Sequence, residues 1–195
     1  MARAPDSKAK TVIAAVKLFS QRGYHGTALN DILDAAGSPR GSLYFHFPKG
    51  KEEIGEAASG FAGEVVRQVI ATAAETSNNV EDFLTQIVQT MASNLERSGY
   101  TEGCPIATTA LETAAQSEIL GAAARNAFQS WEHELTRGFE RFGRKDAALL
   151  ATTVLSQLEG ALLLARTYRS LEPMHRAQEA VKLLVNARRR KRGKA

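Results

Sequence analysis

Residues 31–51 read DILDAAGSPRGSLYFHFPKGK, and this stretch decides the fold of the N-terminal part of the chain. It begins as a short amphipathic helix, which Gly37 ends after about two turns. A second short helix follows, for which Ser38 is the expected cap and Pro39 the expected first residue. Two short helices joined by a glycine turn predict a helix-turn-helix, whose second helix can enter the major groove of DNA.

The faces of this second helix differ in kind. Leu43 and Phe47 are four residues apart and share one face, so we expect them to pack inward against Phe19 and Leu33. The outer faces then carry Arg40, Ser42, Tyr44, Phe45 and His46. An exposed aromatic triplet is costly in water unless a partner covers it, and a DNA groove would do so. The alternative is that all the aromatic side chains fix the helix to its own bundle.

Helical periodicity extends along the rest of the chain. The first helix has Ile13, Val16 and Phe19 at helical spacing and ends at Gly23, and Thr27 is the expected cap of the second. Further helices are predicted at about 51–76, 80–96, 105–115, 117–142, 146–169 and 173–187. No alternating strand pattern of useful length occurs. The sequence therefore predicts an all-α protein of about nine helices.

Composition and charge divide the chain into three parts. With 195 residues, 44% of them hydrophobic and 24% charged, it has the composition of a soluble globular protein. The net charge is +5 over residues 1–51, −7 over residues 52–187 and +6 over residues 188–195. The basic N-terminal part, residues 1–51, is called the head below. Its charge suits binding to a polyanion, although a solvated charged surface is the alternative. We expect a DNA-binding domain (1–52), a helical ligand-binding and dimerisation domain (53–187) and a basic disordered tail (188–195).

Several classes of protein are disfavoured. The N-terminal residues lack the apolar stretch of a secretory signal, and the aliphatic run 161–165 is too short to cross a bilayer, so we expect a cytoplasmic protein. Cys104 is the single cysteine, which excludes an intrachain disulfide. The four histidines do not pair at metal-ligand spacing, and no glycine-rich phosphate loop occurs. We expect no enzyme activity, cofactor or metal site.

The N-terminal sequence resembles the tetracycline-repressor (TetR) family of bacterial transcriptional regulators. The resemblance covers residues 8–60 and is carried by AAVKLFSQRGYHGTALNDILDAAG (14–37), GSLYFHF (41–47) and KEEI (51–54). It departs from the family pattern at Ser38 and Pro39, and FPKGK contains an insertion. The first departure concerns the entry to the second helix, and the second leaves two lysines as rival phosphate contacts.

The resemblance implies roles for individual residues. Thr27 would bind a phosphate through its N–H and its hydroxyl, and Lys49 or Lys51 would clamp another. In the second helix Arg40 and Ser42 would face bases, Tyr44 and His46 would meet phosphates, and Phe45 would touch a thymine methyl or a sugar. The complete set of expected DNA-binding residues is Thr27, Ser38, Arg40, Gly41, Ser42, Tyr44, Phe45, His46, Lys49 and Lys51.

Beyond residue 60 the family diverges, and its second domain binds a small molecule and dimerises through the last two long helices. The segment GCPIATTALE (103–112) resembles one found near the cavity mouth in one ligand-responsive repressor branch. Apolar residues at helical spacing supply the candidate ligand-binding set: Phe61, Val65, Phe83, Ile87, Met91, Cys104, Ile106, Ala107, Leu111, Phe128, Trp131 and Leu158. The candidate dimer interface comprises Leu155, Leu158, Leu162, Val181, Leu184 and Val185. The residues of both candidate sets could instead belong to the ordinary core.

The expected function is a ligand-responsive transcriptional regulator, a repressor that binds a palindromic operator as a homodimer. A small apolar or amphipathic effector would release it from double-stranded DNA. One alternative is a DNA-binding helical protein without an effector. The other is a helical protein-interaction module, in which the exposed surface of residues 38–51 would meet a protein.

Overall fold

The described part of the chain forms nine α-helices joined by turns and loops, and it contains no strand. The computed structural model describes residues 7–192, and for Arg40, Ser42, Tyr44 and residues 187–192 it describes the backbone only. The helices are α1 (Ser7–Arg22), α2 (Leu29–Ala36), α3 (Arg40–His46), α4 (Lys51–Thr76), α5 (Val80–Arg97), α6 (Pro105–Thr113), α7 (Glu118–Arg141), α8 (Ala147–Tyr168) and α9 (Glu172–Arg192). The all-α prediction is confirmed.

The first four helices share one apolar core, because each contributes the inward side of a short amphipathic segment. The buried cluster comprises Val12, Ala14, Ala15, Leu18, Phe19, Ile32, Leu33, Leu43, Phe47, Ile54 and Ala58. Leu43 and Phe47 therefore lie in the same cluster as Phe19 and Leu33, as predicted. Ile13, which helical spacing groups with Val16 and Phe19, is 48% exposed. The buried stripe of α1 instead runs through Val12, Ala15 and Phe19.

Two predicted helix caps are not used. The Thr27 hydroxyl donates to the Gly23 carbonyl at 2.8 Å, and α2 begins after Ala28, whose N–H is bound by the Asp31 carboxylate at 2.9 Å. The Asp31 carboxylate thus makes the N3 contact of a capping box, while Thr27 lies before the cap and its hydroxyl acts as a donor. At α3, extended Pro39 is itself the N-cap, with no side-chain cap bond. Ser38 is therefore not the cap.

The chain divides into two compact units, and neither is continuous in sequence. The first unit holds residues 7–65 and 104–128, and the second holds residues 66–103 and 129–192. The division falls within α4 and again within α7. The predicted functional boundary between residues 52 and 53 lies inside the first unit, because α6 and the beginning of α7 pack with the N-terminal helices.

The second unit packs around a group of aromatic rings. Phe83 on α5 and Phe139 on α7 are fully buried, and their ring centroids are 5.7 Å apart in an edge-to-face arrangement. Gly138 allows this approach, since a Cβ at that position would lie 2.5 Å from Cζ of Phe83. The nearby Glu134 carboxylate is buried and binds Arg67 at 2.7 Å and Arg137 at 3.1 Å. Both arginines offset the cost of removing that charge from water.

Two features of the last helices differ from expectation. Within residues 7–192, α8 is long and apolar enough to cross a membrane by length and composition, with a third of the tested window buried. The prediction that no segment is long enough to cross a bilayer rested only on the aliphatic run 161–165. A core helix of a soluble protein passes the same test. α9 continues to Arg192, so residues 188–192 are helical in backbone and not the disordered tail predicted, and residues 193–195 lie outside the described part.

Glycine substitutions test the packing of the second unit. We expect Gly138→Ala to lower the free energy of unfolding by about 1–3 kcal/mol, because the new methyl group overlaps the Phe83 ring. Gly60→Ala is the matched control, since Gly60 is exposed on α4 with no atom near its Cβ position. The control should stabilise the protein by about 0.5–1 kcal/mol through helix propensity. Urea unfolding measures both changes, and a stabilising Gly138→Ala would contradict the packing described.

Candidate nucleic-acid interface

The turn between α2 and α3 fixes the direction of the second helix. Gly37 ends α2 with a φ of 59°, in the left-handed region that glycine adopts without strain. Its N–H donates to the Asp34 carbonyl at 3.2 Å, and the N–H of Ser38 donates to the Leu33 carbonyl at 3.1 Å. These bonds satisfy the last carbonyls of α2. The backbone then enters α3 within three residues, as a helix-turn-helix requires.

α3 turns one face inward and another face to solvent. Leu43 and Phe47 are 2% and 1% exposed, whereas Phe45 is 82% exposed. The Phe45 ring has its neighbour His46 at an edge-to-face centroid distance of 5.0 Å. Gly41 is exposed on the same helix and Ser38 is partly exposed before it. An apolar ring this exposed on a basic head is the arrangement that a DNA groove would cover.

Three of the expected DNA contacts fall on side chains outside the described part. Arg40, Ser42 and Tyr44 lie on α3 by their backbone positions. Their predicted roles toward bases and phosphates therefore stay predictions.

Lys51 at the beginning of α4 lies against an aromatic ring. Its Nζ is 4.2 Å from the centroid of Tyr24 in a cation–π contact. Burial lowers the pKa of the Lys51 ammonium, and the carboxylates of Glu112 and Asp31 oppose that shift. Lys49, the other candidate for the phosphate contact, is exposed. Its backbone N–H donates to the Glu53 carboxylate at 3.0 Å. Lys51 thus has its ammonium group held at a defined place.

Thr27 is fully buried and has internal partners. Its hydroxyl donates to the Gly23 carbonyl and its N–H donates to the Tyr24 carbonyl at 3.3 Å. Both groups that the resemblance directed at a phosphate are therefore used inside the turn between α1 and α2. In this structure Thr27 fixes the shape of that turn, and its contact with DNA stays a prediction.

The predicted ligand-binding residues belong to both units. Phe83, Ile87, Trp131 and Leu158 are buried in the second unit, where Met91 is partly buried; in the first, Ile106 is buried, Cys104, Ala107 and Phe128 are partly buried, and Phe61, Val65 and Leu111 are exposed. Leu111 is 86% exposed, so it does not line an enclosed cavity within its own unit. Cys104 caps α6, since its Sγ accepts the Ala107 N–H at 3.4 Å. The set as a ligand site stays a prediction.

The predicted dimer residues divide between core and surface. Leu158, Val181 and Val185 are buried within the chain, Leu155 and Leu162 are partly buried, and Leu184 is exposed. The buried three are needed for packing within the second unit, so they are not free to contact another copy. Sequence reasoning missed the exposed apolar side chains Leu149, Leu163, Leu164 and Tyr168 of α8 and Leu183 of α9. Because large apolar residues of α8 lie on its exposed side as well as on its buried side, spacing alone does not show which leucines are buried.

Sequence reasoning also missed Glu112, which binds the turn before α2 from a distant part of the chain. The sequence carries no pattern that predicts this contact, because 87 residues separate the two partners.

Within residues 7–192 no group of three or more His, Cys, Asp or Glu side chains could hold a metal ion.

Two family models match the chain. Residues 12–58 match the model described as bacterial regulatory proteins of the tetR family. Residues 80–180 match the C-terminal domain of LmrA/YxaF-like transcriptional regulators. The first match covers the helix-turn-helix and the start of α4, and the second covers α5 to α8 and much of α9.

Individual relatives extend the match over nearly the whole chain. It is 32% identical to the uncharacterised HTH-type transcriptional regulator YxaF of Bacillus subtilis over 182 residues, 92% of this chain and 95% of the relative. It is likewise 32% identical to the HTH-type transcriptional regulator LmrA of the same organism, covering 87% and 91% of the two chains. These relatives are transcriptional regulators and not enzymes.

Solved structures agree with the fold. A TetR transcriptional regulator from Legionella pneumophila superimposes with a TM-score of 0.84 at 20% identity, covering 94% of this chain and 99% of the other. At that identity the likeness establishes the fold alone. Taken with the two family matches, the helix-turn-helix and its exposed second helix identify this chain as a member of the TetR family of DNA-binding transcriptional regulators.

Proposed function

We propose that this chain represses transcription by binding a palindromic operator as a homodimer, and that a small apolar or amphipathic effector releases it. The observation that carries the proposal is the orientation of α3, which buries Leu43 and Phe47 and leaves Phe45 exposed. A helix held in this way can present the remaining side chains to base edges. The expected location is the cytoplasm, where the operator DNA is.

The head supplies two kinds of contact with DNA. Arg40 is the residue proposed to read a base, since its guanidinium can bind a guanine with two hydrogen bonds. Lys51 is proposed to bind a phosphate, because its ammonium group lies at the beginning of α4 over the Tyr24 ring. Contacts of the first kind give specificity, and contacts of the second kind give affinity for any sequence.

An exposed apolar face on α8 supports the homodimer. Leu149, Gly160 and Leu163 are all exposed, and at helical spacing they fall within about 60° around the helix axis. The small polar residues Ser156 and Thr167 are exposed in the same sector. Gly160 has no atom within 4 Å of its Cβ position, so another helix can approach there closely. A second copy of the same face would cover these side chains. Two-fold symmetry would then place the two recognition helices about one DNA turn apart.

The chemistry of the effector follows from the proposed ligand-binding set, which is almost entirely apolar. Phe83, Ile87 and Trp131 are already packed in the second unit. The partly buried members, among them Met91 and Ala107, are better suited to contact a ligand. Such surfaces favour an apolar or amphipathic molecule over a highly charged one.

Substitutions in the head should separate base reading from phosphate binding. We expect Arg40→Ala to cost about 1–3 kcal/mol at the operator and to relax preference at one position. Lys51→Ala should weaken all sequences alike and reduce the salt slope by about one unit. Binding isotherms at several salt concentrations, on an operator selected from a randomised duplex pool, measure both effects. Unchanged affinity in both variants would contradict the DNA contacts proposed and favour the protein-interaction alternative.

A charge placed on the apolar face of α8 should separate the two copies. Leu163, 62% exposed, is the residue to change, and we expect Leu163→Asp to weaken dimerisation about tenfold or more. Leu111→Asp adds the same charge to an exposed leucine of α6 and should leave the dimer intact. Sedimentation velocity distinguishes monomer from dimer. A Leu163→Asp variant as dimeric as the control would place the interface elsewhere.

Effector response can be tested by linkage between the two ligands. A molecule that binds the DNA-incompetent state more tightly must lower operator affinity, and operator DNA must lower affinity for that molecule by the same factor. Titrating a panel of apolar and amphipathic compounds against the free protein and the protein–operator complex measures both factors. A compound that binds the protein well but leaves operator affinity unchanged favours the alternative without an effector.

A further inference from the structure

α6 and the residues after it contact the DNA-binding head at three polar points, all within the first unit. The Thr108 hydroxyl lies 3.1 Å from the Phe19 carbonyl oxygen in the last turn of α1, and it shares its one proton between that oxygen and the Cys104 carbonyl at 2.9 Å. The Glu112 carboxylate binds the turn between α1 and α2. The Ser117 hydroxyl donates to Glu52 near the beginning of α4, at 2.7 Å. The three contacts therefore fall on the end of α1, the turn before α2 and the beginning of α4.

The middle contact is the most closely fitted of the three. Oε2 of Glu112 accepts the backbone N–H of His25 at 2.6 Å. Gly23 lies beneath the same carboxylate, because a Cβ at that position would be 1.9 Å from Oε1 of Glu112. Gly23 also has a φ of 77°, which disfavours other residues. The carboxylate thus occupies the space that a side chain at position 23 would take.

The same carboxylate also acts on Lys51. The Lys51 ammonium is partly buried over the Tyr24 ring, and the negative charge of Glu112 favours its protonated form against the cost of that burial. Tyr24 itself belongs to the turn that Glu112 binds. The Tyr24 ring that holds the Lys51 ammonium is therefore part of the turn that Glu112 binds, so Glu112 reaches the lysine through that ring.

We propose that Glu112 is a positioning residue for the phosphate contacts of the head, holding the turn of residues 23–27 and Lys51 in the geometry that meets DNA. This inference rests on the proposed function, since it concerns the contacts by which the head binds DNA. Glu112 acts through its neighbours and is not itself a DNA ligand, because a carboxylate is repelled by phosphate.

A simpler role for Glu112 predicts a different result for the shorter side chain. If its carboxylate acted only as a negative charge near the DNA, removing the charge would tighten binding and shortening the side chain would change little. If it positions the turn, reach matters more than charge. Glu112→Gln keeps the length and an oxygen that can accept the His25 N–H. Glu112→Asp keeps the charge but is shorter by one methylene group.

Two conservative variants and one control make the test. Binding is measured to a short mixed-sequence DNA duplex, since phosphate contacts do not depend on sequence. We expect Glu112→Asp to weaken binding about threefold to tenfold, as the loss of one ordinary hydrogen bond implies, and Glu112→Gln to bind as tightly as the wild type or more tightly. Glu118→Asp should not change binding, because Glu118 is exposed and bridges Arg125 on its own helix.

Hydrogen exchange of the His25 amide gives an independent readout without DNA. Its exchange should accelerate in Glu112→Asp, remain slow in Glu112→Gln and remain slow in the control. Normal binding by Glu112→Asp, or a loss of binding in Glu112→Gln equal to that in Glu112→Asp, would overturn the positioning role. A wild-type protein that binds no duplex would contradict the proposed function itself, which the wild-type measurement reveals before any variant is made.

Discussion

The burial of Leu43 and Phe47 is the interaction on which the DNA-reading geometry of this protein depends. α3 has seven residues, too few for a stable isolated helix in water. Its two inward side chains enter the same apolar cluster as Phe19, so tertiary packing supplies the stability that its few hydrogen bonds cannot. Once both are buried, the rotation of the helix about its axis is fixed and Phe45 faces solvent. The same contact therefore stabilises the helix and orients it.

Local signals in the sequence were sufficient for the head. The spacing of Leu43 and Phe47 and the glycine at position 37 each act within a few residues, so they identified the helix-turn-helix correctly. Capping was less predictable, because the Thr27 hydroxyl is used inside the preceding turn, where it donates to the Gly23 carbonyl, and only the folded turn determines that use. Glu112 could not have been found, since its partner is distant in sequence and a glutamate in a short helix carries no distinctive pattern.

The second unit shows the complementary limit of sequence patterns. α8 has leucines on its exposed side as well as on its buried side, so periodicity indicates a helix without indicating which leucines meet the rest of the chain. Leu158 was therefore assigned to both ligand and dimer contacts, although it is packed in the core, whereas Leu163 was passed over and is exposed. Helix bounds were predicted within a few residues except at the end of α9, where repulsion among cations was expected to end the helix earlier.

The contact between Glu112 and Gly23 has a consequence for engineering. Transferring a DNA-binding head between regulators treats residues 1–52 as a module, yet the compact unit also contains residues 104–128. A chimera cut after residue 52 leaves behind the carboxylate that binds the His25 N–H, together with the hydroxyls that bind the end of α1 and the beginning of α4. The transplantable part of this regulator is therefore discontinuous, and a working graft must carry α6 with the head.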